Sequence, residues 1–233
     1  VMMSVGNNFF YTKSLPCSLW FFDKGKPEAL LDKVLFIDAR NYYTVVDRTL
    51  NEWTEWQIKN LTAIVWLYRG EVEDYHQLLA DYRAALGSDK PFAEIQTDLE
   101  EQLARKRAEA KEAVENAARR DKKAVQAQYN GEISALEDKL AVAKDAVWLY
   151  EKFGEGVYQD VPGLCKIESR DVILNEKGAS LTPGAYVGVA PVEDDGVDFK
   201  TRMAEIHREL LTLQEESNRL METISKNLEE MGV

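Results

Sequence analysis

The stretch KVLFIDAR, Lys33 to Arg40, decides how the rest of the chain is read. Val34, Leu35, Phe36 and Ile37 form an unbroken apolar run, the pattern of a strand buried on both faces. Asp38 and Arg40 then bring polar atoms out where the strand ends, and an ion pair closing the strand is favoured over a catalytic role for them. Upstream, Val1 to Val5 and Ser18 to Phe22 read as two short strands around a polar turn at Gly6 to Asn8, the second closed by Asp23 to Pro27. So short a sheet leaves an apolar face uncovered unless helices or further strands lie beside it. With no initiator methionine at Val1, this predicts a fragment cut from the end of a larger α/β domain.

Downstream the period changes from two to the helical one. Trp56, Leu61, Ile64, Val65 and Tyr68 gather on one side of a helix with Thr54 as N-cap and Gly70 as its weak point, and a second helix covers Val72 to Leu86. Phe92 to Phe153 is rich in charge and alanine. Tyr129, Ile133, Leu136, Leu140, Ala143, Val147 and Tyr150 keep four-three spacing, the seam of a coiled coil, and Phe92, Ile95, Leu99, Leu103, Ala110, Val114 and Ala117 form a looser stripe before it. An antiparallel hairpin pairs the two stripes. Its turn falls at Arg119 to Lys123 or at Asn130-Gly131; the second has better turn chemistry, the first gives nearly equal arms and is preferred.

Beyond the hairpin, Leu164 to Ile167 reads as a short strand and Ser169 starts a short helix. In SLTPGAYVG, Ser180 to Gly188, Thr182-Pro183-Gly184 has the composition of a type II turn. The last helix runs from about Asp198 to Met231. Phe199, Met203, Ile206, Leu210, Leu213, Ser217, Leu220 and Ile224 keep strict four-three spacing, after which Leu228 and Met231 shift the stripe, while Glu205, Arg208, Glu215, Glu216, Arg219 and Glu222 stay off it. The fold class read from these patterns is α+β, mostly α-helical.

The 233 residues are 45% hydrophobic and 30% charged, a globular composition. With 41 acidic against 29 basic side chains the net charge is -12, which repels a phosphate backbone and argues against strong nucleic-acid binding by the chain alone. Cys17 and Cys165 lie far apart without metal-ligand or disulfide spacing. No apolar run approaches the roughly 20 residues that cross a bilayer, so a soluble protein of a reducing cytoplasm is expected.

No glycine-rich phosphate loop, nucleophile elbow, zinc spacing or kinase signature is present. His76 and His207 sit on predicted helices with no second histidine at ligand spacing, and read as ordinary helix residues. The charges around RRDKKAVQ are interleaved with acidic residues and lack aromatics, so a solvated face is favoured over a nucleic-acid surface.

Taken together, NNFFYTKSLPCSLWFFDKGK, KVLFIDAR, YQDVPGLCKI and SLTPGAYVGVAPVEDDG, followed by the long terminal helix, resemble the C-terminal part of the modification subunit of type I restriction-modification systems. That subunit is an adenine-N6 DNA methyltransferase using S-adenosylmethionine. The resemblance covers both ends of the chain and implies a division into 1–48, the last strands of a Rossmann-like catalytic sheet; 49–90, a helical linker; 91–153, a coiled-coil-like hairpin insertion; 154–197, mixed strand and loop; and 198–233, a subunit-docking helix. The family's cofactor loop and Asn-Pro-Pro-aromatic motif would precede Val1. No catalytic, cofactor-binding or metal residue is therefore assigned, S-adenosylmethionine is expected only in a full-length subunit, and the chain alone is expected to be inactive.

In related enzymes an aromatic between the last two catalytic strands stacks on the extruded base, and the matching loop here offers Phe10, with Phe9 and Tyr11 as alternates. The terminal helix is expected to dock on the specificity subunit through Phe199, Met203, Ile206, Leu210, Leu213, Leu220 and Ile224. The restriction subunit and DNA would join through the assembled complex, and self-association through this helix is the other expectation. Many relatives carry arginine where this chain has Ala185, so the SLTPGAYVG loop is read as structural, anchoring Tyr186 and Val187. The competing reading is a coiled-coil scaffold unrelated to methylation.

Overall fold

A computed structural model describes residues 1–10, 14–118, 120–190 and 199–230. Six strands occur among them: β1 (Met2–Val5), β2 (Cys17–Trp20), β3 (Lys33–Asp38), β4 (Thr44–Val45), β5 (Asn51–Glu52) and β6 (Cys165–Ser169). Four make one mixed sheet in the order β2-β1-β3-β6, and β4 and β5 form a small antiparallel pair. β1 lies parallel to β3 with Met2 opposite Phe36 and Ser4 opposite Asp38, while β2 and β6 run antiparallel to their neighbours.

The apolar run of β3 is buried on both faces, for two different reasons. Leu35 and Ile37 face a large core shared with the helices, whereas Phe36 faces a smaller one built from Met2, Ile173, Tyr186 and Val187. Alternation along a strand sends successive side chains to opposite faces, so one run of four apolar residues serves both.

The helical layer begins with α1 (Glu55–Arg69), which starts on a full capping box: Thr54 accepts from the backbone of Gln57, and the Gln57 side chain accepts from the backbone of Thr54. It ends at Gly70, whose φ of 79° places it in the left-handed region that closes a helix. α2 (Val72–Leu86) packs on α1, and both pack on α4 (Lys122–Phe153), the second arm of a hairpin whose first arm is α3 (Phe92–Asn116).

The chain reverses between the two arms, where Asp121 and Lys122 donate to the carbonyl of Ala118 at 2.8 and 3.1 Å. Asn130-Gly131 lies inside α4 instead of turning it. A reversal there would leave much of the first stripe without an opposite arm, and burial of the stripe outweighs the roughly 1 kcal/mol that a helical glycine costs. Lys106–Glu132, Arg107–Glu137 and Glu100–Lys144 pair across the arms.

On α3, Phe92, Ile95, Leu99, Leu103 and Ala110 are buried. On α4 the most buried face runs through Leu140, Ala143, Ala146, Leu149 and Phe153, which departs from the Val147–Tyr150 end of the sequence seam. There α4 meets α1 and α2 as well as α3, so its buried face is set by three neighbours.

One turn differs from its sequence reading. Pro183 is helical, with φ −51° and ψ −42°, and opens a short helix, α5 (Gly184–Val187). Type II geometry would need a positive φ at Gly184, which it lacks. Proline is as well suited to a first helical turn as to a β-turn, and the Tyr186 ring, stacked on Phe36 with centroids 3.9 Å apart, selects the helix.

Residues 1–190 form one compact unit and residues 191–233 another. The described part of the second is α6 (Phe199–Glu230). No described helix is long and apolar enough to cross a membrane.

Candidate functional site

Because β1 and β3 are parallel, their carboxyl ends emerge side by side, and three segments singled out in the sequence meet there. From β1 the chain passes through Gly6, Asn7 and Asn8 to Phe9 and Phe10. A Cβ on Gly6 would stand 2.8 Å from the carbonyl oxygen of Arg40, so only glycine lets the two strand exits lie this close. Ala39 donates to the carbonyl of Ser4 at 2.9 Å, which fixes the spacing.

The loop after Gly6 is held from the other side by Asn51, a buried residue of β5. Its backbone N–H donates to Asn8 O at 2.8 Å and its side-chain Nδ2 to Asn7 O at 2.9 Å. The sequence reading missed Asn51, since nothing local marks an asparagine whose partner lies 44 residues upstream. The aromatics of the loop divide clearly. Phe9 packs against Trp53 and, edge-on, Tyr43, whereas Phe10 is 47% exposed; Tyr11 lies outside the described residues.

At the end of β3, the buried Asp38 carboxylate accepts from Arg40 Nε at 2.8 Å and from Nη2 at 2.6 Å. The backbone N–H of Arg40 donates to the same carboxylate at 3.2 Å. Asp38 raises the guanidinium further above its ordinary range by hydrogen bond and charge. Gly184 at the start of α5 closes over this pair: its Cβ would come 2.9 Å from Arg40 Nη2. Tyr186 and Val187 are buried and anchor α5, with the Tyr186 hydroxyl bonded to Ser180 O.

Behind this sheet end lies a polar knot. Asn60, fully buried, donates through Nδ2 to the Tyr42 hydroxyl (2.8 Å) and to Asp145 O (2.9 Å), and accepts from the Tyr82 hydroxyl (2.8 Å). Tyr42 in turn donates to Asp145 Oδ1 at 3.1 Å and stacks on Trp148 at 3.9 Å. Trp53 Nε1 donates to Tyr42 O at 2.6 Å, so the segment after β3 is tied to α1, α2 and α4. Burial pushes Asp145 upward, and the hydrogen bonds from Tyr42 and Thr54 partly oppose it. Burial likewise raises the Tyr42 and Tyr82 phenols, so both donate as neutral hydroxyls.

Two apolar surfaces complete the inventory. β2 is an edge strand with no neighbour on its outer side among the described residues. Trp20, Phe21 and Phe22 at its end are exposed, beside a groove of about 890 Å³ that Met3, Leu61, Val65 and Tyr68 help to line. The Asp23–Arg69 ion pair and Lys26 form its polar rim. On α6, Met203, Ile206, Leu210, Leu213, Leu220 and Ile224 are all exposed; the Phe199 and Leu228 side chains and Met231 lie outside the described residues. Met221, overlooked in the four-three count, falls on the same face at 3.6 residues per turn and is exposed too.

No group of three or more metal-ligating side chains occurs among the described residues. His76 Nε2 lies 2.9 Å from Glu155 O, a helix-to-loop contact. Burial pushes the Cys165 thiol up to about 11, which makes it unreactive.

Residues 1–82 match the family model described as N-6 DNA Methylase. The chain is 26% identical over 223 residues, 96% of its length, to the type I restriction enzyme MjaIX methylase subunit of Methanocaldococcus jannaschii. It is 36% identical over 91 residues, 39% of its length, to the type I restriction enzyme HindI methylase subunit of Haemophilus influenzae. These matches cover 25% and 20% of the two relatives, so the chain spans about a quarter of their length or less. No solved structure matches it significantly. The family match ends within α2 and takes in the whole sheet end from Gly6 to Asn51.

Proposed function

We propose that this chain, a relative of the methylase subunits of type I restriction-modification systems, works as the C-terminal part of an adenine-N6 DNA methyltransferase subunit. In this reading β1, β2 and β3 complete a Rossmann-like catalytic sheet, and α6 docks on the specificity subunit, through which DNA and the restriction subunit join. The coiled-coil-like α3–α4 hairpin is a family-variable insertion whose base packs on α1 and α2. The observation that carries the reading is the edge of β2, which has no neighbour on its outer side among the described residues. An edge strand ending in Trp20-Phe21-Phe22 beside an apolar groove is a liability unless more protein covers it.

In this reading the residues described do not hold S-adenosylmethionine. The groove beside β2 is mostly apolar, and its one carboxylate, Asp23, already pairs with Arg69 and accepts from the Gly25 backbone. The cofactor and the amine-contacting motif would belong to another part of a longer subunit. This chain supplies Phe10, exposed on a loop held by Asn51, as the surface on which an extruded adenine stacks.

The test is methyl transfer by the longer subunit assembled with its specificity subunit, on duplex DNA containing the complex's target. Phe10→Ala is expected to lower turnover by about five- to 150-fold, since one base–aromatic stack is worth about 1–3 kcal/mol, while cofactor affinity is kept. Wild-type turnover in Phe10→Ala reduces Phe10 to packing. An assembled wild-type complex that methylates no adenine removes the methyltransferase reading and leaves the scaffold reading, which the uncovered face of α6 supports.

A further inference from the structure

We propose that Arg40 is a binding site for a DNA backbone phosphate next to the extruded base, oriented by the buried carboxylate of Asp38. The inference rests on the methyltransferase reading and adds a contact to it. A guanidinium carries five N–H donors. Asp38 engages Nε and Nη2, and among the described residues Nη1 has no hydrogen-bond partner. The two side chains are also unequal in exposure: Asp38 is 7% exposed and Arg40 52%. The pair is rooted in the sheet and offers its unused donors outward.

An exposed arginine normally gives up rotamer freedom when it binds an anion. Here the bidentate grip of Asp38 on one side and the close passage of Gly184 on the other have already fixed the side chain. Arg40 sits where β3 exits, against Gly6, on the sheet end from which the Phe10 loop departs. The chain as a whole carries a formal charge of -12, which repels DNA. A cation fixed at that end is what brings a phosphodiester within reach of it.

The experiment measures duplex affinity of the assembled methylase–specificity complex across a salt series, on target and non-target DNA. Arg40→Gln is expected to flatten the dependence of log K on log salt by about one unit and to weaken both duplexes alike, by about fivefold at roughly 0.15 M salt. Arg40→Lys keeps the charge and the slope. Since glutamine at position 40 strips Asp38 of its partner, the double change Asp38→Asn with Arg40→Gln removes both charges without stranding a buried carboxylate, and it is expected to show the same flattening. A folded single or double variant with the wild-type slope overturns the proposal and leaves the methyltransferase reading standing. A wild-type complex that neither binds nor methylates target DNA overturns both.

Discussion

α4 and α6 are both 32 residues long and both carry apolar residues at helical spacing, yet they end in opposite situations. In α4 the stripe is covered: Ala143, Ala146 and Leu149 are fully buried, because α3 returns along it and α1 and α2 close its base. In α6 every described member of the stripe from Met203 to Ile224 is exposed. The period of the pattern thus fixes that a helix has an apolar face and says nothing of what covers it. For α4 the cover is the preceding helix, reached by a short reversal. For α6 we assign it to another polypeptide.

That contrast breaks first under truncation. Leu149→Ala removes a fully buried side chain from the junction of the arms with α2 and is expected to destabilise the chain by about 2–5 kcal/mol, the range for such core deletions. Leu213→Ala, on the exposed stripe, is expected to change stability by less than about 0.5 kcal/mol. Denaturant melts of the two variants measure the difference directly. A large loss in Leu213→Ala would mean that α6 is covered within its own chain, and the comparison would fail.

The second test addresses the cover itself. Leu210→Glu with Leu213→Glu places two charges on a face that, in the proposed docking, is desolvated only in the complex, so binding to the specificity subunit is expected to weaken at least about a hundredfold, roughly 3 kcal/mol, with the chain's own melting unchanged. Co-purification and titration with the specificity subunit read it out. Loss of a self-associated form in place of a heterologous one would move the assignment to a second copy of this chain.

The same contrast explains what the sequence revealed. Elements defined by local chemistry were legible: the Thr54 cap, the Gly70 terminus and the both-faces burial of Val34 to Ile37; the reversal near Asp121 was legible from the matched lengths of the two stripes, against the local turn chemistry of Asn130-Gly131. Thr182-Pro183-Gly184 was not, because its composition suits a β-turn and a helix start equally, and the choice fell to the stacking of Tyr186 on Phe36, a contact across 150 residues. At the site, Phe10 was named with two alternates, and only burial separated it from Phe9. Asn51, Asn60 and Asp145 went unnoticed since a polar residue on a helix or strand reads as solvated, and nothing nearby in sequence announces a tertiary partner.

Asp145 gives the subtlest test, because it puts a cost inside the covered region that the exposed helix does not carry. Burial raises its carboxyl above the ordinary 3.8, so the folded chain holds a proton there more tightly than the unfolded one. A raised folded value means that this group's contribution is full below the unfolded value and is lost as pH rises through the folded one. At neutral pH the charged carboxylate is therefore a small liability within the knot. Asp145→Asn keeps an oxygen to accept from Tyr42 and offers an amide to Thr54, so the hydrogen bonds survive while the charge goes. The variant is expected to melt at or slightly above wild type at pH 7, within about 1 kcal/mol, and its advantage should close as pH falls from the raised folded value towards 3.8. Thermal melts of both proteins between pH 7 and 4 decide it. A variant that is clearly less stable than wild type at pH 7 would show that the ionised carboxylate strengthens the knot, and that the junction of α4 with α1 and α2 is held by charge as well as by the apolar face that sets it apart from α6.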